Sequence, residues 1–335
     1  MTVEAWIEAG IGETRAAVTA DDRLIEVHIE RDDDGLRHGE VWAARLTGIL
    51  VPHHRGIVRA GDFEALLEPL PTGVTEGALL RVAVVREALP EAGRPRLAKV
   101  RAEPGAATHP ARLVTGADLA ARLRARGMTV RPVAAHDTDR LEAAGWSEAV
   151  DAARSGHVPF PGGLLTITPT PAMTVIDVDG PGDAGALALA AAAAVGAAVR
   201  RFDLGGSIGV DFPTVDRAHR IAIGERLDAA LPPPFERTAV NGFGFVQIVR
   251  PRLRPSFIER VRGQPVATAA LWLLRSAERA RGAGTRLLTA DPAVVGWLAA
   301  RPALTDALER RCGCPVRLQA DAALAISSGH VATLA

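Results

Sequence analysis

Three aspartates stand at the ends of two short apolar segments in the middle of the chain. Asp177 and Asp179 close the segment TVIDVD, and Asp211 closes the segment SIGVD. The first segment alternates, which predicts a strand with both of its acids on one face. Neighbouring carboxylates cannot all ionise cheaply, so either one is protonated or a cation lies between them. A hard divalent cation, usually Mg2+, is the natural partner of such acids in phosphate chemistry. The alternative is that each aspartate only caps a turn.

The residues between these segments indicate how the acids are brought together. Residues 183–202 consist mostly of Ala, Leu, Val and Arg, which predicts a helix with Asp183 as its N-cap. Gly205 and Gly206 end the helix before the second strand. A strand, a crossover helix and a second strand most often form a parallel pair with a right-handed connection. The acids would then meet at the carboxyl edge of the sheet, where ligands bind.

Three motifs carry a resemblance to a known family. The segments GGLLTITPTPAMTVIDVDG, DLGGSIGVDF and VNGFGFVQIVRPRLRPSFIE, in this order, resemble the catalytic core of the ribonuclease E and ribonuclease G family. The resemblance implies that Asp177 and Asp211 hold a catalytic Mg2+. Asp179 stands where the family usually has Asn, so it adds a third carboxylate, either as an extra ligand or as a group that orients water.

Composition limits the class of protein. The chain has 335 residues, of which 48% are hydrophobic and 23% charged, which is typical of a globular protein with two or three sub-domains. No apolar run is convincing as a membrane span, and the two Cys fit a reducing cytoplasm. The formal net charge is zero, so strong phosphate binding would need a local cluster of Arg, because Lys99 is the single Lys.

The chain divides into strand-rich and mixed regions. Residues 3–30 predict a β-meander, and residues 39–102 predict five short strands of an oligonucleotide-binding barrel. The barrel matches the position of the S1 domain in the family. Its aromatic platform is replaced by Ile57, Val58 and Leu66, so weaker binding of single-stranded RNA is expected. Residues 103–116 predict a connector, residues 240–250 a strand, and the closing AISSGHVATL a loop.

We predict an α/β (α+β) fold with a mixed ribonuclease-H/nuclease-like body, an inserted S1-like OB β-barrel and a small C-terminal α/β domain. The predicted regions are the N-terminal strands of the body (1–36), the barrel (37–102), a reduced ribonuclease-H-like connector region (103–160), the catalytic nuclease-like domain (161–262) and the C-terminal domain (263–335).

Two parts of the family pattern are missing. The Arg-Thr pair that marks the sensor of the RNA 5′-monophosphate is not found, so 5′-end preference should be weak. The zinc-binding C-P-x-C-x-G link is replaced by RVRGQPVATA, so neither zinc nor a zinc-linked dimer is expected. By resemblance, the C-terminal domain supports dimerisation, which leaves a homodimer open.

The sequence therefore predicts a cytoplasmic, Mg2+-dependent endoribonuclease that cleaves single-stranded RNA and leaves a 5′-phosphate and a 3′-hydroxyl. The residues predicted to contact RNA are Arg250, Arg252, Arg254, Arg220, Phe243 and Lys99. Phe243 has a second interpretation as a core residue, and each Arg as part of a solvated face. The alternative functions are an RNA-binding paralogue with little or no cleavage and a phosphoesterase of small nucleotides.

Overall fold

The computed structural model describes residues 3–91 and 95–334. They form two compact units, each assembled from separate segments of the chain. The first unit contains the described residues of segments 1–33, 123–155 and 260–335, and the second contains those of segments 34–122 and 156–259. The C-terminal segment therefore shares a unit with the N-terminal strands.

The elements alternate between strand-rich and helical stretches. The strands are β1 (Val3–Ala9), β2 (Glu13–Ala20), β3 (Arg23–Arg31), β4 (Val41–Val51), β5 (Arg55–Ala60), β6 (Phe63–Leu67), β7 (Leu79–Arg86), β8 (Ala98–Ala102), β9 (Ala111–Val114), β10 (Thr129–Pro132), β11 (His157–Phe160), β12 (Gly163–Pro169), β13 (Thr174–Asp179), β14 (Gly206–Asp211), β15 (Glu236–Arg237), β16 (Phe245–Arg250), β17 (Thr285–Ala290), β18 (Val316–Ala320) and β19 (His330–Leu334). The helices are α1 (Leu119–Ala125), α2 (Arg140–Ala143), α3 (Trp146–Ser155), α4 (Ala184–Arg201), α5 (Arg217–Ala230), α6 (Phe257–Gly263), α7 (Pro265–Arg279), α8 (Pro292–Ala299) and α9 (Pro302–Cys312).

The first unit contains two sheets. Strands β1, β2 and β3 form the predicted antiparallel meander, and β10 adds to β1 in parallel. Asp21 and Asp22 both have positive φ angles, 47° and 63°, as a tight two-residue hairpin turn requires. The second sheet has the order β18-β17-β19. The predicted closing loop is wrong at its end, because residues of β19 pair with β17 and gain ladder hydrogen bonds that local propensity does not reveal.

A buried ion network joins the distant segments of the first unit. Glu8 is 4% exposed, and its carboxylate accepts hydrogen bonds from Arg15 at 3.0 Å and from Arg275 at 2.7 Å. Arg275 also donates to Asp139 at 2.7 Å, and Arg279 donates to Glu8 at 3.0 Å. These charges are removed from water together, so each depends on its partners for compensation.

The second unit contains the predicted barrel. Its strands follow the order β5-β6-β8-β7-β4, and β4 pairs again with β5 to close it. Strands β6 and β8 are parallel, while the other pairs are antiparallel. The interior is filled by small and branched side chains, including Leu46, Val58, Leu67, Val82 and Val100. The barrel prediction is confirmed.

One strand of this unit lies in the predicted connector. Residues 103–116 include β9, which pairs antiparallel with the first residues of β4 outside the closed barrel. The prediction of a plain connector is therefore wrong for Ala111–Val114. The segment reads ARLV between Pro- and Gly-containing stretches, and so short an apolar run becomes a strand only through its partner.

The other sheet of the second unit has the order β11-β12-β13-β14-β16-β15. Strands β13 and β14 are parallel and are joined by α4, as the sequence predicts. Asp183 caps α4 by accepting a hydrogen bond from the Ala186 amide at 2.8 Å. Helix α4 packs on β11, β12 and β13 and against α5. By length and hydropathy α4 could cross a membrane, but half of it is buried inside the fold as the crossover helix.

Candidate active site

Asp177 and Asp211 are direct neighbours on the parallel strands β13 and β14. They are partners in the strand register, and both side chains are exposed. The preceding residues on the opposite face, Ile176 and Val210, are completely buried. The apolar core therefore fixes the register that turns both acids to the other face, because a slip by one residue would bury them. The predicted meeting of these acids at the carboxyl edge is confirmed.

The two acids belong to a row of residues that runs across the sheet. Thr166 is the partner of Asp177 on β12, and His157 is the partner of Thr166 on β11. On the other side, Phe245 is the partner of Asp211 on β16. Register partners share a face, and neighbouring strands lie about 4.8 Å apart. The row thus places a hydroxyl, two carboxylates and an aromatic ring side by side, with an imidazole at its end.

Asp179 adds a third carboxylate to this face. It lies two residues beyond Asp177 on β13 and is exposed. Partial burial raises the pKa of the Asp177 carboxyl, and the charge of Asp179, a hydrogen bond with Asp179 and the charge of Asp211 raise it further. Asp179 and Asp211 are thus close enough to Asp177 to disfavour ionisation of its carboxyl. A cation would relieve this repulsion.

The donor set fits a hard divalent cation, with one qualification from geometry. Carboxylate oxygens are the ligands that Mg2+ takes, and it usually keeps several waters as well. Within residues 3–91 and 95–334, no group of three or more His, Cys, Asp or Glu side chains is arranged so that it could hold a metal ion. The acids therefore suit a cation held by one or two carboxylates and completed by water and phosphate oxygens.

Phe245 forms an apolar border of the acidic row. A Cβ atom added to Gly209 would lie 2.6 Å from the Phe245 ring and 3.0 Å from the Met173 sulfur. Glycine at this position therefore allows the ring to cover the strand that carries Asp211.

Phe243 lies on a tight turn beside this border. Residues 241–244 form a turn that precedes β16, so the predicted strand 240–250 begins only at Phe245. The core interpretation of Phe243 is wrong, because its side chain is 83% exposed. The Asn-Gly dipeptide at 241–242 favours a tight turn, and the strand prediction does not take it into account.

The helices α4 and α5 both begin near the acidic edge. Asp216 caps α5 by accepting a hydrogen bond from the His219 amide at 2.9 Å, and this bond holds the pKa of Asp216 below its usual range. A Cβ atom on Gly185 in α4 would lie 2.5 Å from the His219 ring, so the first turns of the two helices touch. Arg220 donates to the carbonyl of Val215 at 2.9 Å.

Arg220 also lines a cavity that is bordered by α5 and by residues 237–240. The cavity has a volume of about 400 Å3 and includes Arg217 and Arg220 from α5. Arg237 lies on its border and is held by Asp228, with an N–O distance of 2.7 Å. Three guanidinium groups, of which that of Arg237 is ion-paired, therefore border this space, together with the carboxylate of Glu225.

Arg250 lies at the opposite end of the sheet from the acids. Its register partner is Gly206, five residues before Asp211, which corresponds to about 17 Å along β14. The guanidinium donates to the carbonyl of Pro232 at 3.2 Å and also to that of Leu204. The structure therefore does not bring Arg250 together with the acidic row.

The next two Arg of the predicted cluster also have partners inside the unit. Arg252 forms an ion pair with Glu259. Arg254 lies 3.8 Å from Glu87 and 3.9 Å from Asp203. Both side chains are largely covered, at 18% and 22% exposure. Their charges are balanced by nearby carboxylates, so each Arg would attract a phosphate less strongly.

Lys99 lies on the barrel surface with the residues that replace the aromatic platform. Leu66 is the register partner of both Ile57 and Lys99. The Lys99 ammonium is 2.9 Å from the carboxylate of Glu68. Phe63, at the turn between β5 and β6, is 42% exposed. This surface offers a cation and apolar side chains, with a single exposed aromatic ring nearby.

Sequence reasoning missed Thr166 and Asn241 as residues of the site. Thr166 lies in an apolar strand. Its position beside Asp177 depends on the strand register, which the residues around Thr166 do not reveal. Asn241 accepts hydrogen bonds from the amides of Phe243 and Phe245 and so shapes the turn. Its side-chain role could have been anticipated from the Asn-Gly turn signal.

Comparison with known proteins identifies one family. The model of the ribonuclease E/G family matches residues 120–253. The match includes all three aspartates, the turn that carries Phe243 and the start of the Arg cluster, and it begins after the barrel. No curated protein matches the chain. The resemblance drawn from the three motifs is thereby confirmed.

Proposed function

Because residues 120–253 belong to the ribonuclease E/G family, we propose that this protein is a Mg2+-dependent endoribonuclease of single-stranded RNA. The observation that carries the proposal is the register pairing of Asp177 with Asp211 on the open face of the parallel strands. The family match supports a ribonuclease in general. The paired acids support the metal-dependent cleavage step.

In this mechanism, Asp177 and Asp211 are the residues that would hold the cation. When bound, Mg2+ activates water as a nucleophile and neutralises charge on the phosphate oxygens. Asp179 accepts a hydrogen bond from the attacking water and orients it. The water oxygen bonds to phosphorus and releases its proton to solvent, while the bond from phosphorus to the 3′ oxygen breaks and that oxygen takes up a proton from solvent. The products carry a 5′-phosphate and a 3′-hydroxyl.

The residues proposed to contact RNA lie in three places: near the acidic row, on the barrel and at the far end of β14. Arg220 borders the cavity at the start of α5, and Phe243 is exposed beside the acidic row. Lys99 would meet phosphate on the barrel. Arg250, Arg252 and Arg254 would bind a strand that continues past the acids, at the far end of β14. To bind phosphate, these Arg would have to exchange the internal partners that they have in the folded unit.

The main alternative is an RNA-binding paralogue with little or no cleavage. It is favoured by the zero net charge and by the internal ion pairs of Arg252 and Lys99. A cytoplasmic location and a homodimer through residues 263–335 also belong to the proposal. Filter binding of an RNA 10-mer against a mononucleotide separates both functions from a phosphoesterase of small nucleotides.

A cleavage assay with two variants tests the proposal. Asp177→Asn and Asp211→Asn should each lower cleavage of a fluorescent single-stranded RNA at least 100-fold, because one charged ligand is lost from the proposed cation site. EDTA should abolish cleavage by the unchanged protein, and added Mg2+ should restore it.

The matched control is Asp183→Ser. It removes a negative charge from the same edge of the sheet but keeps a side chain that caps α4, so cleavage should be unchanged. Full activity of Asp211→Asn would refute the catalytic assignment. Retention of RNA on a filter without any cleavage by the unchanged protein would favour the paralogue.

A further inference from the structure

Phe243 is the most exposed large hydrophobic side chain among the described residues. Its exposed fraction is 83%, compared with 58% for Leu50 and 56% for Ile221. Removing a Phe side chain from water is normally favourable by about 1.5–3 kcal/mol, so the fold forgoes that stabilisation here. An aromatic ring held in water next to a candidate active site indicates a surface that a ligand covers.

The turn that carries Phe243 is fixed by its own hydrogen bonds. The side-chain oxygen of Asn241 accepts from the amides of Phe243 at 2.9 Å and Phe245 at 3.0 Å. Gly244 has a φ of +93°, and a Cβ atom there would collide with the carbonyl of Phe212. The ring is thus presented by an ordered backbone, which lowers the entropic cost of binding to it.

The same turn is joined to the segment that follows Asp211. The Phe212 amide donates to the carbonyl of Gly244 at 3.2 Å, and the Thr214 hydroxyl donates to the carbonyl of Phe243 at 3.3 Å. Phe243 is also two residues before Phe245, the register partner of Asp211. The Cα atom of Phe243 therefore lies within about 13 Å of that of Asp211.

The charges around the turn fit a nucleic acid. Arg217 and Arg220 border the cavity at the start of α5, directly after the segment 212–216. A nucleotide whose phosphate approaches these groups would have its base free to meet an aromatic ring. Aromatic rings bind single strands in this way with little dependence on base identity, because every base has a π-face.

We propose that Phe243 stacks on the base of the nucleotide next to the scissile phosphodiester, and that Asn241 is the positioning residue that holds Phe243 in place. The proposal deepens the proposed function and rests on it for the identity of the ligand as single-stranded RNA. A paired base is already stacked in its helix, so the ring selects RNA that is unpaired at this position.

The test measures binding without cleavage. Fluorescence anisotropy in EDTA compares a single-stranded RNA 10-mer with an abasic 10-mer of the same length and charge. Phe243→Ala should weaken binding of the normal RNA about 5- to 150-fold, the range expected for the loss of one stacked base. It should leave binding of the abasic RNA unchanged, and Phe243→Trp should retain the affinity of the unchanged protein for normal RNA.

Two further variants isolate the effect. Val249→Ala truncates another exposed apolar side chain, 46% exposed on the far part of β16, and should leave RNA affinity unchanged. Asn241→Ala should weaken binding in the unchanged protein but have no further effect in a Phe243→Ala background, because positioning matters only when the ring is present. An additive loss would assign Asn241 a separate role.

The outcomes distinguish this proposal from the proposed function. Equal RNA affinity of Phe243→Ala and the unchanged protein would overturn the stacking role, even if the protein cleaves RNA. Base-dependent binding through Phe243 without Mg2+-dependent cleavage would support stacking and refute the nuclease. If Phe243→Ala alters the sedimentation coefficient but not RNA affinity, the ring serves a protein contact and the proposal is wrong.

Discussion

Glu26 shows how a single buried acid can carry part of the stability of a sheet. Its carboxylate, on β3, accepts hydrogen bonds from Arg126 at 2.6 and 2.8 Å and lies 3.0 Å from a ring nitrogen of His28. Burial raises the pKa of Glu26, but the hydrogen bonds and charges of His28 and Arg126 outweigh it and lower the pKa from 4.5 to about 2. The partners therefore stabilise the ionised form. His28 is itself mostly covered, contrary to the solvent-facing position that its strand pattern indicates.

A pH titration of stability tests this assignment. Because the pKa is lowered in the folded state, Glu26 contributes its full stabilisation above pH 4.5 and loses it as the pH falls towards about 2. The contribution is about 3 kcal/mol. Glu26→Gln should reduce the urea-unfolding free energy at pH 7 and remove this component of the loss between pH 4.5 and 2.

The control for Glu26 is an acid of the same unit on the surface. Asp151→Asn breaks an exposed ion pair with Arg154 and should change the unfolding free energy by less than about 1 kcal/mol. An unchanged pH dependence in Glu26→Gln would show that the carboxylate is not held in its ionised form by these partners.

The acidic row illustrates what single residues reveal before a structure is known. Asp177 and Asp211 could be predicted, because each follows an apolar strand and the parallel pairing is implied by one crossover helix. Phe243 could be identified but not placed, since exposure depends on where a strand starts. The partners of Arg250 and Arg252 could not be predicted, because contacts to a carbonyl or a distant acid leave no local pattern.

At the scale of elements, the crossing of α4 and α5 positions the acidic edge. Gly196 in α4 lies directly against the last residue of α5. A Cβ atom on Gly196 would lie 2.7 Å from the carbonyl carbon of Ala230 and 2.8 Å from its oxygen. Because Gly196 has no side chain, α4 and α5 can pack closely at this point. Their packing in turn positions the first turns of both helices, which begin beside the acids.

Two Gly→Ala variants test the role of this contact. Gly196→Ala should lower the unfolding free energy by about 1–3 kcal/mol, because overpacking outweighs the helix preference of Ala. Gly296→Ala, in α8, has no atom within 4 Å of the new Cβ and should raise it by about 0.5–1 kcal/mol. Urea unfolding of both variants checks the prediction, and equal effects in the two helices would contradict it.

Elements differ in how far the sequence predicts them. The strand, helix, strand unit of residues 174–211 is predicted in type and order, because its pattern and its cap agree with each other, but its second strand begins at Gly206, inside the predicted glycine break. The strands β9 and β19 are missed, because each is short and depends on a partner far away in the chain. The five barrel strands are predicted, but their closed order follows from long-range pairing of β4 with β5.

At the scale of the whole molecule, the first unit depends on its last segment. The buried carboxylate of Glu8 is compensated largely by Arg275 and Arg279, which belong to segment 260–335. The cluster of buried apolar side chains around Leu271 and Leu274 also includes Ile11. The N-terminal strands therefore need residues from the far end of the chain for both charge compensation and packing.

Truncation after Glu259 tests this dependence. Hydrogen exchange should show that β1, β2 and β3 lose protection, while the barrel strands, which belong to the other unit, keep it. Arg275→Gln in the full chain isolates the ion pair and should destabilise the first unit by about 3–5 kcal/mol. Full protection of β1, β2 and β3 in the truncated protein would refute the dependence.

The division of the first unit among three segments also has a consequence for biosynthesis. On the ribosome, residues 34–122 emerge as a contiguous stretch and can close their barrel early. The strands of residues 3–33 must wait for about 230 further residues before the helix that carries Arg275 appears. During this interval their apolar faces lack a partner, and domains synthesised in this order are exposed to aggregation. The barrel can therefore fold in the nascent chain before the first strands gain their partners.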